Sequence, residues 1–350
     1  MQLNNMLKFP MAWTGAAGPD AAAVLSTRVR IARNLAGFTF PERSSQQVLK
    51  EVFHLCTGAF KKTKALSKAA YIMLEDTDRT DRRFLIERHQ ISPQLAAETK
   101  NRAVIIGAGE TLSAMINEED HIRIQAISSG FSPAETLAKA MTLDDELGRR
   151  IDYAYNDKLG FLTACPTNIG TGLRISCLVH LPALTRAGQV QRVLENLSQI
   201  RMTARGLYGE GTSAIGDFYQ ISNATCLGNT EDQFAENLMQ VIQSLITREQ
   251  RTRKGLLEEP RRTGTEDAVF RALGVLEKAR SISYQEAMQN FSLVRMGLSM
   301  VPETPVDLPC LNELMIITQP AHLQMASTRE MSPAERDAER ASLIRKRFSA

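Results

Sequence analysis

The hydrophobic period of this chain changes once, near residue 230, and that change constrains the fold more than any other feature of the sequence. From about residue 20 to 230, short alternating or apolar runs predict strands at Tyr71 to Glu75, Phe84 to Glu87, Ala103 to Ile106, His121 to Ile127, Arg174 to Leu181 and Asp217 to Ser222. Helical spacing occurs among them at Ser45 to Lys62, Pro133 to Tyr153 and Ala187 to Ser198. Strands and helices do not alternate regularly, which predicts an α+β fold, an antiparallel β-sheet flanked by helices, rather than a doubly wound sheet. Beyond residue 230, Glu231 to Arg253, Thr265 to Arg280, Tyr284 to Leu298 and Pro333 to Phe348 all carry helical spacing and predict an all-helical C-terminal lobe. The stretch Gly255 to Gly264, with Glu258-Glu259-Pro260-Arg261-Arg262 inside it, reads as the linker. The expected division is therefore residues 1–255 and 256–350.

Composition excludes several classes. With 350 residues, 43% of them hydrophobic, the chain has ample material for a core. A formal charge of +3 is too small a bias to argue for direct nucleic-acid binding. No run approaches the ~18 consecutive apolar residues of a spanning helix, and the first residues lack the pattern of a signal peptide, so a cytoplasmic location without membrane attachment is expected. Five cysteines (Cys56, Cys165, Cys177, Cys226, Cys310) form no C-x-x-C pair, and at least four are expected to be plain core thiols. The five histidines give no H-x-x-x-H pair, which leaves a metal held by protein ligands alone without its usual donors. Arginine, at 30 against 12 lysines, is the one oddity, and its planar fork grips phosphate bidentately.

Position decides whether those arginines matter. In Ser26-Thr27-Arg28-Val29-Arg30-Ile31, alternation puts Arg28 and Arg30 on one face of an extended segment, either around an anion or on a solvated edge. In Asn117-Glu118-Glu119-Asp120-His121-Ile122-Arg123, three acids precede a strand whose His121, Arg123 and Gln125 share a face; this is either a solvated turn or a place where a cation meets an anion. Cys165-Pro166-Thr167-Asn168-Ile169-Gly170-Thr171-Gly172-Leu173-Arg174 is a Gly-rich loop entering a strand, fit for holding phosphate or for turning a hairpin, and it lacks the ending of a P-loop. Cys165 is the one cysteine in a polar loop. Arg205-Gly206-Leu207-Tyr208-Gly209-Glu210 is weak by itself, but together the segments supply Arg28, Arg30, Arg123, Arg174 and Arg205, a set suited to a nucleotide triphosphate and its transition state.

S-T-R-V-R, N-E-E-D-H-x-R, C-P-T-N-x-G-T-G-x-R and R-G-x-x-G-E, in this order and spacing, resemble the ATP:guanido phosphotransferases, the phosphagen kinases. Members acting on small guanidines carry a helical domain ahead of S-T-R-V-R, whereas 25 residues precede Ser26 here. Arg336-Asp337-Ala338-Glu339-Arg340-Ala341 matches the R-D-x-x-R-A motif of the branch that phosphorylates protein arginines, where it binds phosphoarginine allosterically. The resemblance implies Glu119 as main base, Glu210 as second carboxylate and Cys165 beside the guanidinium, with Glu118 and Asp120 helping to hold substrate or Mg. It implies ATP contacts from Ser26, Thr27, Arg28, Val29, Arg30, His89, Arg123, the strand Arg174, Ile175, Ser176, Cys177 and Leu178, and the loop from Arg205 to Glu210. His89 by itself reads as a structural residue at a strand end. His54, His180 and His322 have no such context, and Met296, Met300, Met315 and Met325 read as helical-lobe core.

The activity so implied is γ-phosphoryl transfer from Mg-ATP to arginine side chains of proteins, marking them for the ClpC-ClpP protease and controlling the CtsR repressor. A separately encoded activator, McsA, and a homodimer built through the helical lobe, or a larger assembly, come with the same resemblance. One alternative keeps the chemistry and makes free arginine or another small guanidine the acceptor; a second is a catalytically silent phosphoarginine-binding adaptor.

Overall fold

The long strand β1 (Val24–Arg33) is the axis of the molecule, because alternation along it makes two opposite faces: Val29 and Ile31 are fully buried on one, while Arg28 and Arg30 lie on the other. The computed structural model describes residues 3–66, 68–206, 214–298 and 304–349. After β1 come β2 (Ala70–Met73), β3 (Ala103–Ile106), β4 (Leu112–Ile116), β5 (Ile122–Ser129), the small ribbon β6 (Tyr155–Asn156) and β7 (Gly160–Phe161), then β8 (Leu173–His180), β9 (Met202–Arg205) and β10 (Phe218–Asn223). Apart from the ribbon they form one sheet ordered β2-β3-β4-β5-β1-β8-β10-β9, antiparallel at every pairing.

The helices of the first part are α1 (Leu3–Met6), α2 (Gln46–Phe60), α3 (Arg79–Glu87), α4 (Pro93–Ala97), α5 (Pro133–Gly148), α6 (Pro182–Arg186) and α7 (Val190–Gln199). Those of the second are α8 (Glu231–Leu256), α9 (Arg262–Lys278), α10 (Tyr284–Gly297), α11 (Leu308–Ile317), α12 (Pro320–Ala326) and α13 (Pro333–Phe348). Residues of α2, α5, α7 and α8 cover one face of the sheet, in a core that includes Val29, Ile31, Ile124, Ile175, Cys177 and Ile221.

The opposite face is divided along its strands. At one end it carries Leu25, Ile127, Leu178 and Phe218, which join a second core with Phe291, Leu314, Met315 and Ile344 of the C-terminal helices. At the other end the same face carries Arg28, Arg30, Arg123, Gln125, Arg174 and Ser222, and there it opens into a cleft. The helical lobe therefore docks on the apolar half of a face whose polar half is left to chemistry.

Three expectations are corrected. Phe84 to Glu87 is the last turn of α3, because Asp78 and Asp81 form a capping box that starts a helix ahead of it. The linker is shorter than Gly255 to Gly264, since α8 continues to Leu256 and α9 opens at Arg262. The helix expected to reach Tyr153 ends at Gly148. Cys56, Cys177 and Cys226 are buried thiols, whereas Cys310 is only half-buried. Met296 and Met315 are buried, Met325 packs at the edge of a third cluster around Phe84, and Met300 lies outside the described residues.

Ile175 sits with no exposed surface directly behind the cleft, so Ile175→Ala is expected to cost about 2–5 kcal/mol in urea unfolding. A loss below about 1 kcal/mol would contradict the packing described for that face.

Candidate active site

The cleft holds about 630 Å³ and collects Arg28, Arg30, His89, Glu118, Glu119, Arg123, Cys165, Arg174 and Arg205. Register does most of this. Arg30 stands opposite Arg174 on β8 and opposite Gln125 on β5, Arg28 opposite Ser176, and Ala32 opposite Arg123, so the guanidiniums rise from neighbouring strands on one face. Arg205 joins them from β9, paired with Gln220. A larger groove of about 1040 Å³ runs along α8, but its walls bring no carboxylate beside its arginines.

The electrostatics are those of a site waiting for an anion. Arg28 and Arg30 donate no side-chain hydrogen bond among the described residues, and the buried Nε of each is unsatisfied. Burial, with Arg123 and Arg174 nearby, pulls Arg28 down to about 10; burial and the same neighbours, together with Arg28, lower Arg30 well below its ordinary value. His89 is pushed down to about 3 by burial and by Arg28 and Arg30, so its ring is neutral at physiological pH. Bringing several phosphate oxygens into this space relieves all three at once.

His89 does not end a strand. It lies in the turn after α3 with φ of 59°, its carbonyl accepts from Gln125 Nε2 at 2.6 Å, and its ring meets Trp13 edge-on at 5.3 Å between centroids.

The carboxylates divide into different jobs. Glu118 is buried and accepts from Arg123 Nη1 at 2.8 Å and from the Ser92 hydroxyl, which fixes the arginine rather than leaving the acid available. Glu119 is half-exposed in the cleft, with Arg123 Nη2 at 3.3 Å, and burial raises its carboxyl above the usual range against the pull of that arginine. Asp120 does not line the cleft: it is fully buried, and its Oδ1 accepts from Asn34 Nδ2 at 2.6 Å and from Ala164 N at 2.7 Å. Asp120 thereby ties the loop that carries Cys165 to the turn that carries Glu119. His121 is likewise structural, accepting from Leu35 N at Nδ1 and donating from Nε2 to Thr39 O, with its ring pushed down to about 4 by burial.

Cys165 is partly exposed in the cleft, its Sγ 3.0 Å from Thr167 Oγ1. The turn that brings it there depends on two glycines. Gly170 has φ of 114° and a Cβ would fall 2.2 Å from Cys226 O; Gly172 has φ of 65° and a Cβ would fall 2.6 Å from Ala32 O. Arg33 clamps the same turn by donating to Thr171 O while its guanidinium pairs with Asp144 and lies 3.5 Å over the Phe161 ring.

Several expected nucleotide contacts are not brought into the cleft by their side chains. Val29, Ile175 and Cys177 face the opposite core, and Leu178 belongs to the second core under the helical lobe. Their strands are hydrogen-bonded on both sides, which also occupies the backbone. Ser26 is buried, and the Thr27 hydroxyl is used on Gly130 O and Ser132 N. Ser176 donates to Arg28 O and accepts from Gln220. Gly206 ends the described segment, and Leu207, Tyr208, Gly209 and Glu210 lie outside the described residues. Sequence reasoning missed Ser92, Thr203 and Gln220 in the wall, Asn34 and Arg33 beneath it, and Trp13 beside it. The alternation that exposed Arg123 also pointed to Gln125; the others carry no local signal.

On the C-terminal helix, Arg336 lines a groove with Arg79, Arg83 and Arg329. Arg340 is turned inward: its Nε donates to Thr318 O at 2.8 Å, its Nη1 to Ile282 O at 2.8 Å, and it pairs with Asp337. Ala341 is part of the second core.

Comparison with known proteins agrees with this geometry. The ATP:guanido phosphotransferase C-terminal catalytic domain matches residues 51–252, and the chain belongs to that family of enzymes, which transfer a phosphoryl group to a guanidino nitrogen. Among solved structures, lombricine kinase superposes with a TM-score of 0.60 at 27% identity, covering 69% of this chain and 70% of that one. A duplicated taurocyamine kinase from Schistosoma mansoni gives 0.61 at 28% identity over 69% of this chain, which spans 34% of that longer protein.

The branch of the family is also defined. Residues 262–350 match the protein-arginine kinase McsB C-terminal domain. Relatives named protein-arginine kinase, from Symbiobacterium thermophilum and Halalkalibacterium halodurans, are 43% and 42% identical, covering 97% and 96% of this chain and 96% and 94% of their own. Among the described residues no helix is long and apolar enough to cross a membrane.

Because Arg30 is buried among like charges, Arg30→Met is expected to raise the melting temperature of the nucleotide-free protein by about 2 °C or more, while removing the stabilisation that added tripolyphosphate gives the wild type. A lower melting temperature with tripolyphosphate stabilisation intact would contradict the electrostatic reading.

Proposed function

We propose that this chain transfers the γ-phosphoryl group of Mg-ATP directly to arginine side chains of proteins. The observation that carries the reading is the convergence of five arginines from neighbouring strands with one half-exposed carboxylate, Glu119, and one thiol, Cys165, in a single cleft. The arginines form the polyphosphate platform, aligning the γ-phosphorus and balancing its charge in the transition state. An arginine guanidinium is not a nucleophile until it loses a proton. Glu119 takes that proton from a terminal nitrogen; the nitrogen attacks the γ-phosphorus, and the bond to the β–γ bridging oxygen breaks. The products are phosphoarginine, ADP and a proton. The elevated carboxyl of Glu119 suits it to a general base better than an ordinary surface acid. Glu210 is proposed as the second carboxylate of the guanidinium clamp, and Cys165 is proposed to lie beside the same guanidinium. Glu118 acts by holding Arg123.

Mg enters as the nucleotide complex, held by phosphate oxygens and water. Among the described residues no three His, Cys, Asp or Glu side chains gather into a cation site of their own. We further propose a catalytic unit of residues 1–255 and a regulatory unit of residues 256–350. Phosphoarginine recognition through Arg336, Asp337, Arg340 and Ala341 is supported by the basic groove that Arg336 lines with Arg79, Arg83 and Arg329. A cytoplasmic location, homodimerisation through the helical lobe, an activator of the McsA type, and delivery of marked proteins, the CtsR repressor among them, to ClpC-ClpP complete the reading.

Incubated with Mg-ATP, the wild type is expected to place acid-labile phosphate on an arginine-rich protein and not on free L-arginine. Glu119→Ala is expected to lose at least about a hundredfold in transfer while binding ATP within a few-fold of wild type. Label on free arginine would make the enzyme a metabolite kinase, and an active Glu119→Ala would displace the base.

A further inference from the structure

The segment between α3 and α4 enters the cleft with His89 and again with Ser92. It is fastened from two directions. Ile91 and Leu95 are buried in the third cluster with Phe84 and Met115, and His89 O accepts from Gln125 of β5. Ser92 is thereby held in place, and its hydroxyl is used twice: it accepts from Leu95 N at 3.0 Å, which caps α4, and it donates to Glu118 Oε1.

The Glu118 side chain has no exposed surface, so it depends on donors from the protein. Ser92 Oγ and Arg123 Nη1, the latter at 2.8 Å, share its Oε1, and Glu119 N lies 3.3 Å from its Oε2. The second terminal nitrogen of the same guanidinium, Arg123 Nη2, reaches Glu119 Oε2 at 3.3 Å. One arginine therefore bridges two carboxylates, with its shorter contact on the buried one. A buried carboxylate deprived of one donor draws more heavily on the nearest cation, and Arg123 turned wholly toward Glu118 gives up its longer contact first. We propose that Ser92 is a positioning residue for phosphoryl transfer: its hydroxyl satisfies Glu118, which leaves Arg123 one nitrogen with which to hold Glu119 in the cleft. Ser92 acts here through Glu118 and Arg123, without touching nucleotide or acceptor. The inference rests on the reading of Glu119 as the base.

The test is steady-state transfer from Mg-ATP to an arginine-rich protein by the full-length chain carrying Ser92→Ala, Ser92→Gly or Ser92→Thr, each with and without Glu119→Gln. Alanine removes both the cap of α4 and the donor to Glu118. Glycine is nearly as good a cap as serine but has no donor, and threonine keeps the hydroxyl. Ser92→Ala and Ser92→Gly are expected to lower kcat about three- to tenfold, the worth of one hydrogen bond. The KM for ATP is expected to stay within about twofold of wild type, because Arg28 and Arg30 are placed by strand register. Ser92→Thr is expected to keep the wild-type kcat. In the Glu119→Gln background the loss is expected to shrink below about twofold, since the carboxylate through which Ser92 acts is gone. A loss in Ser92→Ala without one in Ser92→Gly would assign the effect to the cap alone. An unchanged kcat in both, or an equal loss with and without Glu119→Gln, would likewise overturn the proposal. Wild-type kcat in Glu119→Gln alone would instead displace the base, a failure of the underlying reading that is visible without any Ser92 variant.

Discussion

The mutual repulsion of Arg28, Arg30, Arg123 and Arg174, held in place by sheet register, is the constraint around which the rest of the molecule is arranged. These side chains cannot separate, because β1 is paired on both edges and Arg30 is fixed opposite Arg174. A charge cluster of this kind costs stability in the absence of an anion, and the cost is met by the apolar core behind it, where Val29, Ile31, Ile175 and Ile221 are fully buried. Under the proposed function the same arrangement favours polyphosphate: the guanidiniums are already placed, so little ordering is needed when an anion arrives. Glu118, buried against Arg123, tempers the cluster on one side only, and Glu119 meets the same arginine at 3.3 Å from a half-exposed position in the cleft.

The second organising device is the division of one sheet face into a polar and an apolar half. Leu178 and Phe218 lie on the same face as Arg174 and Ser222, a few residues further along their strands, and they receive the helical lobe. Cleft and lobe therefore share strands. The turn after α3 strengthens this connection, because Glu87 caps α12, Arg88 holds the N-terminal segment and His89 enters the cleft.

Much of this was legible in the sequence where a residue's role follows from strand period. Arg28 and Arg30 against Val29 and Ile31, and Arg123 beside Gln125, could be read from alternation, and the shift to helical spacing marked α8, α9, α10 and α13, the last at its expected bounds, but not the shorter α11 and α12. Roles set by long-range contact could not. Asp120 reads as one more acid in a run of three, yet its partners are Asn34 and Ala164, 86 and 44 residues away. Phe84 to Glu87 has the composition of a strand and is helical because of a cap that precedes it. Val29, Ile175 and Cys177 belong to the matching segments, but within a paired strand only every second side chain can reach a cleft, and Leu178, on the cleft's own face, lies further along its strand under the helical lobe.

The most direct test of the arginine platform is equilibrium binding by calorimetry of ATP, adenosine and tripolyphosphate to the wild-type protein. If the platform is the nucleotide site, tripolyphosphate competes with ATP and adenosine binds at least about a hundredfold more weakly than ATP, because the affinity resides in charge-assisted contacts to phosphate. Adenosine binding as tightly as ATP, with tripolyphosphate unable to compete, would contradict the account.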